Sequence, residues 1–216
     1  MARPYDAVLF DLLTGLLDSW TLWNAVARDE TQGLRWRREY LRLTYAAGAY
    51  RPYETIVAEA AEQAGVPRAW AEQLVDRWDE LAPWPEAPAV LGALARVGLP
   101  LGVVTNCSES LGRRAAARVG VDFQVVVTAE RAGWYKPDPR PYQLALADLA
   151  VRPERTLFVA GSPSDLPGAS RAGMPVVWHN RIGLPRPAET PPPLAVYSAL
   201  EPLTATVLGP AGQEQS

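Results

Sequence analysis

The sequence predicts an α/β protein: a doubly wound, Rossmann-like parallel sheet with a helical unit inserted after its first strand. Three observations carry this reading. Short apolar runs at 7–10, 101–105, 125–127, 156–160 and 176–178 alternate with helical spacings, the pattern that right-handed crossovers turn into a parallel sheet. Between Trp20 and Leu81 the apolar residues recur at helical spacing with little strand signal. Polar or turn residues follow four of the runs, at Asp11, Thr105-Asn106, Lys136-Pro137 and Gly161-Ser162 with Asp165, on the rim where an open parallel sheet keeps its crevice.

Taken in order, Ala7-Val8-Leu9-Phe10 reads as a buried strand that delivers Asp11 to the rim. Trp20, Trp23 and Val26, then Leu34, Tyr40, Leu41 and Tyr45, then Ile56, Val57 and Ala60, then Trp70, Leu74 and Trp78 mark four amphipathic helices. Breaks fall at Gly33, at 48–52 and at 65–67, and the proline-rich stretch 83–88 leads back to the sheet. The expected units are therefore a core of 1–15 with 83–216 and a helical cap of 16–82. Helices near 89–97, 108–119, 139–149 and 166–172 alternate with the remaining strands. Beyond Arg181 the chain turns proline-rich, so a packed but irregular tail is expected, and 209–216 has a composition too polar to offset the entropy of ordering.

A chain of 216 residues, 48% hydrophobic and 21% charged, holds one full core and one smaller unit. With a net charge of −3 and no basic run longer than two residues, nucleic acid and anionic membranes are excluded as expected partners. The one cysteine, Cys107, leaves no internal disulfide, and no apolar targeting or spanning segment is visible, so a soluble, reducing, cytoplasmic setting is expected. The partner is then a small molecule, and the aromatic helices are the expected surface for a homodimer.

The strand-end residues suggest a chemistry. An aspartate nucleophile needs a cation that keeps it charged and aimed, and Lys136 is the candidate partner of Asp11. Thr105 and Asn106 offer a hydroxyl and an amide to an anionic substrate without competing as nucleophiles. Asp165 either fixes Lys136 or positions a water. Plainer readings stand beside these: a loop cap for Asp11, a solvated or Glu39-paired cation for Arg37, packing for Cys107, and core for the tryptophans. His179, the only histidine, follows the last strand away from the Asp11 loop, and a strand-end hydrogen bond is its expected role.

Asp11, Thr105-Asn106, Lys136 and Asp165, in this order and at these strand ends, resemble the motifs of the haloacid dehalogenase superfamily, and the resemblance spans nearly the whole chain. It implies Asp11 as nucleophile, with Lys136 and Asp165 as catalytic partners. The superfamily's phosphatases carry an acid two residues after the nucleophile and a magnesium-binding aspartate late in the chain. Here those positions hold Leu13, which cannot protonate a leaving group, and Gly161. No catalytic metal and no cofactor are expected. Trp36-Arg37, Tyr135-Lys136-Pro137-Asp138 with Tyr142, and Asn180-Arg181 followed by Gly183 look like segments of the L-2-haloacid dehalogenase branch. That branch implies displacement of halide from a small 2-halocarboxylate through an aspartyl ester, with Arg37 receiving the halide. It also implies Leu12, Thr105, Asn106, Tyr142 and Ser162 around the substrate. The chain departs from it in the order Thr14-Gly15, where the branch has Gly-Thr, and in Ala160 and Ser162, where it has serine and asparagine. Two alternatives remain: a magnesium-dependent small-molecule phosphatase with an unusual acid, and a silent binding protein on the same fold.

Overall fold

The computed structural model describes residues 3–209. Six parallel strands form one sheet: β1 (Ala7–Phe10), β2 (Leu101–Thr105), β3 (Val125–Thr128), β4 (Thr156–Ala160), β5 (Val176–His179) and β6 (Ala195–Tyr197), in the order β3-β2-β1-β4-β5-β6. The fold class is the one the sequence predicts. Every residue of β1 is buried, because β1 lies at the middle of the sheet under helices on both faces, which is why its sequence is apolar without alternation. The strand order reverses at β1, so the crevice beyond Phe10, between β2 and β4, is the switch point where this architecture places a site.

Between β1 and the next core helix run α1 (Ser19–Ala27), α2 (Glu30–Ala46), α3 (Tyr53–Gln63) and α4 (Ala69–Asp76). Asp18 and Asp29 start the first two by accepting from the amides of Thr21 at 3.1 Å and Gln32 at 2.7 Å. Trp23, Trp36, Tyr40, Tyr53 and Trp78 pack together among these helices, with Trp23 and Trp36 centroids 4.3 Å apart and Tyr40 and Tyr53 at 5.5 Å. The buried indoles of Trp36 and Trp78 donate to the carbonyls of Val57 and Leu111, at 3.0 and 2.9 Å.

Two seams tie this insertion to the sheet. At its root the outgoing and returning chains pair as a short antiparallel bridge at Leu17 and Pro83, with Asp18 N donating to Ala82 O at 2.9 Å and Trp84 N to Leu16 O at 2.9 Å. The second bridge pairs Ala49 with Trp134, with Tyr50 N donating to Gly133 O and Tyr135 N to Gly48 O, both at 2.8 Å. This second seam lies one residue from Lys136.

The remaining helices are α5 (Ala87–Arg96), α6 (Glu109–Ala117), α7 (Ala129–Ala132), α8 (Pro139–Leu149), α9 (Asp165–Arg171) and α10 (Pro202–Leu208). The tail corrects the sequence reading. Instead of irregular packing it supplies the edge strand β6 and the helix α10, whose Leu203 and Val207 are buried against the core together with Leu200. The final segment expected to fray, apart from Gly209, lies outside the described residues. Among the described residues no helix is long and apolar enough to cross a membrane.

The sheet packs closely at Gly102 in β2, where an added Cβ would stand 2.3 Å from Val125 Cγ1 and 2.8 Å from Leu9 Cδ2. Neither neighbour can retreat within a parallel core. Gly102→Ala is expected to destabilise the protein by about 1–3 kcal/mol, read as a lower urea midpoint.

Candidate active site

The turn after β1 folds back on its own aspartate. Asp11 Oδ2 accepts three hydrogen bonds, from Thr14 N at 3.0 Å, Thr14 Oγ1 at 2.6 Å and Gly15 N at 2.9 Å. Oδ1 receives the ammonium of Lys136 at 2.7 Å. Burial pushes the Asp11 carboxyl up, but Lys136 and the Thr14 donors outweigh it and hold the group below the usual carboxylate range. The Thr14-Gly15 order thereby finds a use: it places a hydroxyl and two amides on one carboxylate oxygen.

Lys136 reaches this position on a loop after β3 and α7. Its backbone is gripped by Asn106, which accepts from Lys136 N at 2.7 Å through Oδ1 and donates to Lys136 O at 3.1 Å through Nδ2. Asn106 therefore positions Lys136 through both ends of its amide, and it also lines the cavity above, with a second Nδ2 hydrogen left over. The Lys136 ammonium also lies 2.9 Å from Asp165 Oδ1, at the start of α9, so one cation bridges two carboxylates. All three groups are almost wholly buried. Burial depresses the lysine, yet the two carboxylates raise it overall. Asp165 goes the other way: burial above all lifts it to about 6, Lys136 opposes, and the Asp11 charge adds to the lift.

Over this triad lies a cavity of about 20 Å³ lined by Asp11, Leu13, Arg37, Tyr40, Thr105 and Lys136, among others. Leu41 and Tyr45 of α2 line both it and an open groove shared with Ser164, so they form the wall between inside and outside. Burial, with the charges of Asp165 and Asp11 next, raises the Tyr45 phenol well above its usual range and keeps it neutral. Tyr40 closes a further side, its hydroxyl donating to the Asn106 carbonyl at 3.1 Å.

Arg37 is the unusual member. It is 1% exposed, and its Nε and Nη1 find no acceptor among the described residues. Glu39, the partner expected under the plainer reading, instead pairs with Arg42 at 2.8 Å. Arg37 rests on the indole faces of Trp20, 4.2 Å from the centroid, and Trp23, 5.4 Å away. A desolvated guanidinium with open donors beside a cavity is an anion receptor in the making. Its two tryptophans serve the core and the site together.

The other expected residues take different places. Thr105 lines the cavity with a buried hydroxyl that has no partner among the described residues. Leu12 does not line it, because its side chain packs in the main core. Tyr142 stands behind Asp165 in the second core cluster, its hydroxyl 3.4 Å from Asp165 Oδ1. The Ser162 hydroxyl accepts from Ser164 N at 3.2 Å and lies beside the Tyr45 phenol of the cavity wall. Thr14, Leu41 and Tyr45 belong to the site although their roles were not read from the sequence.

The two carboxylates share Lys136, and among the described residues no cluster of three metal-ligating side chains occurs. At Gly161 a Cβ would fall 2.3 Å from Gly15 N, 2.4 Å from Thr14 Oγ1 and 2.5 Å from Asp11 Oδ2, so the backbone has no space for a carboxylate there.

A family model described as haloacid dehalogenase-like hydrolase matches residues 5–173. The (S)-2-haloacid dehalogenase H-109 of Pseudomonas putida is 28% identical over 197 residues, 84% of this chain and 88% of its own. A phosphoserine phosphatase of Thermus thermophilus is 33% identical over 189 residues, 84% of this chain and 73% of its own. The solved structure of an L-2-haloacid dehalogenase superposes with a TM-score of 0.83 at 25% identity, covering 94% of this chain and 98% of that one.

The unpaired cation makes a prediction that joins stability to binding. Arg37→Met keeps an apolar chain over Trp20 and removes an uncompensated buried charge, so it is expected to stabilise the protein by roughly 1–3 kcal/mol. Bromide should raise the melting temperature of the wild type and leave that of Arg37→Met unchanged. Equal responses in thermal scans of the two proteins would show that Arg37 holds no anion.

Proposed function

The chain belongs to the haloacid dehalogenase-like hydrolases, and on that basis we propose that it displaces halide from a small 2-halocarboxylate through an ester on Asp11, without a metal. The observation that carries this reading is the pairing of a buried nucleophilic carboxylate with a buried, acceptor-free arginine across one small cavity. Dehalogenase activity is what the names of several relatives record, and the reading brings it to this chain through these residues.

The steps follow from the hydrogen bonds. Oδ2 is saturated by three donors, whereas Oδ1 accepts only from Lys136 and keeps a lone pair, so Oδ1 attacks the halogen-bearing carbon. The carbon–halogen bond breaks with its electron pair, and the halide moves to the Arg37 donors. Leu13 in the acid position cannot protonate the leaving group, and a halide, which departs as a stable anion, does not need it. Thr105 offers its free hydroxyl to the substrate carboxylate. Water then attacks the carbonyl carbon of the Asp11 ester as Asp165 takes up one of its protons. The acyl C–O bond breaks, Asp165 returns that proton to the departing alkoxide so that a 2-hydroxy acid leaves, and the remaining proton passes to solvent as Asp11 returns to a carboxylate. In this scheme the 16–82 insertion acts as the cap, and Leu41 and Tyr45 must move to admit a substrate that the closed cavity is too small to hold.

The 33% identity to a phosphatase favours the competing reading, phosphate-ester hydrolysis with magnesium. Leu13 and the filled space at Gly161 oppose it. Chloride release from L-2-chloropropionate in the presence of chelator is expected, and Asp11→Asn should lower it by roughly 10³-fold or more. Magnesium-dependent turnover of a phosphate ester with no halide release would replace this reading with the other.

The pH dependence separates the two half-reactions. Asp165 titrates at about 6, and below that it is protonated and can neither take a proton from water nor balance Lys136. Asp11, held below the ordinary range, stays ionised there and still forms the ester. Ester should therefore accumulate on the protein as pH falls through about 6, visible as added mass on the Asp11 peptide after rapid quenching, and should be scarce at neutral pH. Equal adduct at both pH values would remove Asp165 from the hydrolytic step.

A further inference from the structure

We propose that Trp84 and His179 are positioning residues that aim the Thr14-Gly15 donors at Asp11 by holding the far side of the same backbone. The inference rests on the reaction proposed above for its kinetic consequence, though not for its geometry. Trp84 Nε1 donates to Thr14 O at 3.0 Å. That carbonyl belongs to the same peptide plane as the Gly15 amide, which donates to Asp11 Oδ2 at 2.9 Å. In a trans peptide the C=O and N–H point in opposite directions, so a plane gripped at its oxygen presents its N–H to the other side in one orientation only. His179 Nδ1 lies 2.8 Å from Gly15 O, in the next plane, whose amide, Leu16 N, donates to Leu12 O at 3.1 Å. A carbonyl can only accept, so Nδ1 carries the hydrogen. The single histidine thus makes the strand-end bond expected of it, and the bond lands on the nucleophile turn.

Two consecutive planes are therefore held at both ends. The joint between them is Gly15, which has to be glycine because a Cβ would stand 2.4 Å from Asp11 O. Glycine is also the residue with most freedom to swing, so this is where an external grip has most effect. Neither ring lines the cavity, which sets both residues apart from the groups that touch substrate. Trp84 and His179 meet edge to face with centroids 6.2 Å apart, and Arg181 lies over Trp84 at 4.9 Å while pairing with Glu86 at 2.8 Å. Trp84 is also the first residue after the root bridge, its own amide donating to Leu16 O at 2.9 Å. The returning linker of the helical insertion therefore carries one of the two grips.

Burial lowers the His179 imidazole and keeps it neutral, which suits a ring whose Nε2 has no partner. Trp84→Phe keeps an aromatic ring and removes the N–H together with the pyrrole ring. His179→Leu removes the donor, and His179→Asn supplies one near the Nδ1 position. Trp84→Phe and His179→Leu are each expected to slow Asp11 ester formation about tenfold, the scale of one net hydrogen bond. KM should shift by less than about twofold, and His179→Asn should recover most of the rate. Titration of the ¹³C-labelled Asp11 carboxyl, which needs no turnover, should move up toward the ordinary range in Trp84→Phe and His179→Leu. Wild-type rates and an unmoved Asp11 titration in both variants would overturn the proposal. Should the wild type release halide from no haloacid, the reaction reading fails alone and the Asp11 titration decides this one.

Discussion

The rest of the site depends on the two ion pairs that Lys136 makes, at 2.7 Å with Asp11 and 2.9 Å with Asp165. Each of these charges has left water, and a buried ion without compensation costs several kcal/mol. Removing Lys136 would leave two buried carboxylates uncompensated, and removing either acid would leave the lysine a single partner. The fold spends four strand ends on keeping them together: Asp11 beyond β1, Asn106 beyond β2, Lys136 after β3, and Asp165 beyond β4. Asn106 holds the lysine by its backbone, so the ammonium is free to serve both acids. Unequal surroundings then push the two carboxyls apart, Asp11 down and Asp165 up to about 6, which separates a group that stays ionised from one that can exchange a proton.

Two departures in the sequence, at Thr14-Gly15 and Gly161, form one packing solution. A side chain at position 161 would occupy the volume that Gly15 N, Thr14 Oγ1 and Asp11 Oδ2 now fill. The donor cradle on Asp11 and a metal-binding carboxylate at 161 compete for the same space, so only one can exist. With the cradle in place, one oxygen of Asp11 is spent on orientation and the other is left for chemistry. In the proposed reaction these few residues, and not the frame shared with a phosphatase, carry the difference in chemistry.

Much of this was legible along the chain, and what was not had physical causes. Strands β2 and β4 and helix α8 coincide with their predicted bounds because each is long, apolar on the buried face and closed by turn residues. Strand β6 has three residues, none fully buried, and α10 follows a proline-rich stretch, so neither has enough periodicity to stand out. Asp11, Lys136 and Asp165 could be found because strand ends converge by topology. The role of Asn106 could not, since its partner lies 30 residues away and the contact is to backbone. Nor could the isolation of Arg37, whose neighbours in sequence include an acid that turns out to pair elsewhere.

Arg37 also shows why the insertion is rich in tryptophan. A guanidinium without a carboxylate has to be held by something that does not neutralise it, and indole faces meet that need through cation–π attraction and close packing. A carboxylate in the same place would stabilise the protein more and would occupy the donors that an anion requires. Asp11, Lys136 and Arg37 line the cavity; Lys136 is shared between Asp11 and Asp165, whereas Arg37 has no carboxylate in contact among the described residues. Turning Asp11 into an ester removes one negative charge beside the lysine as a negative halide forms at the arginine. The proposed displacement thus moves charge across the cavity from one fixed cation to another, and neither cation has to move to receive it.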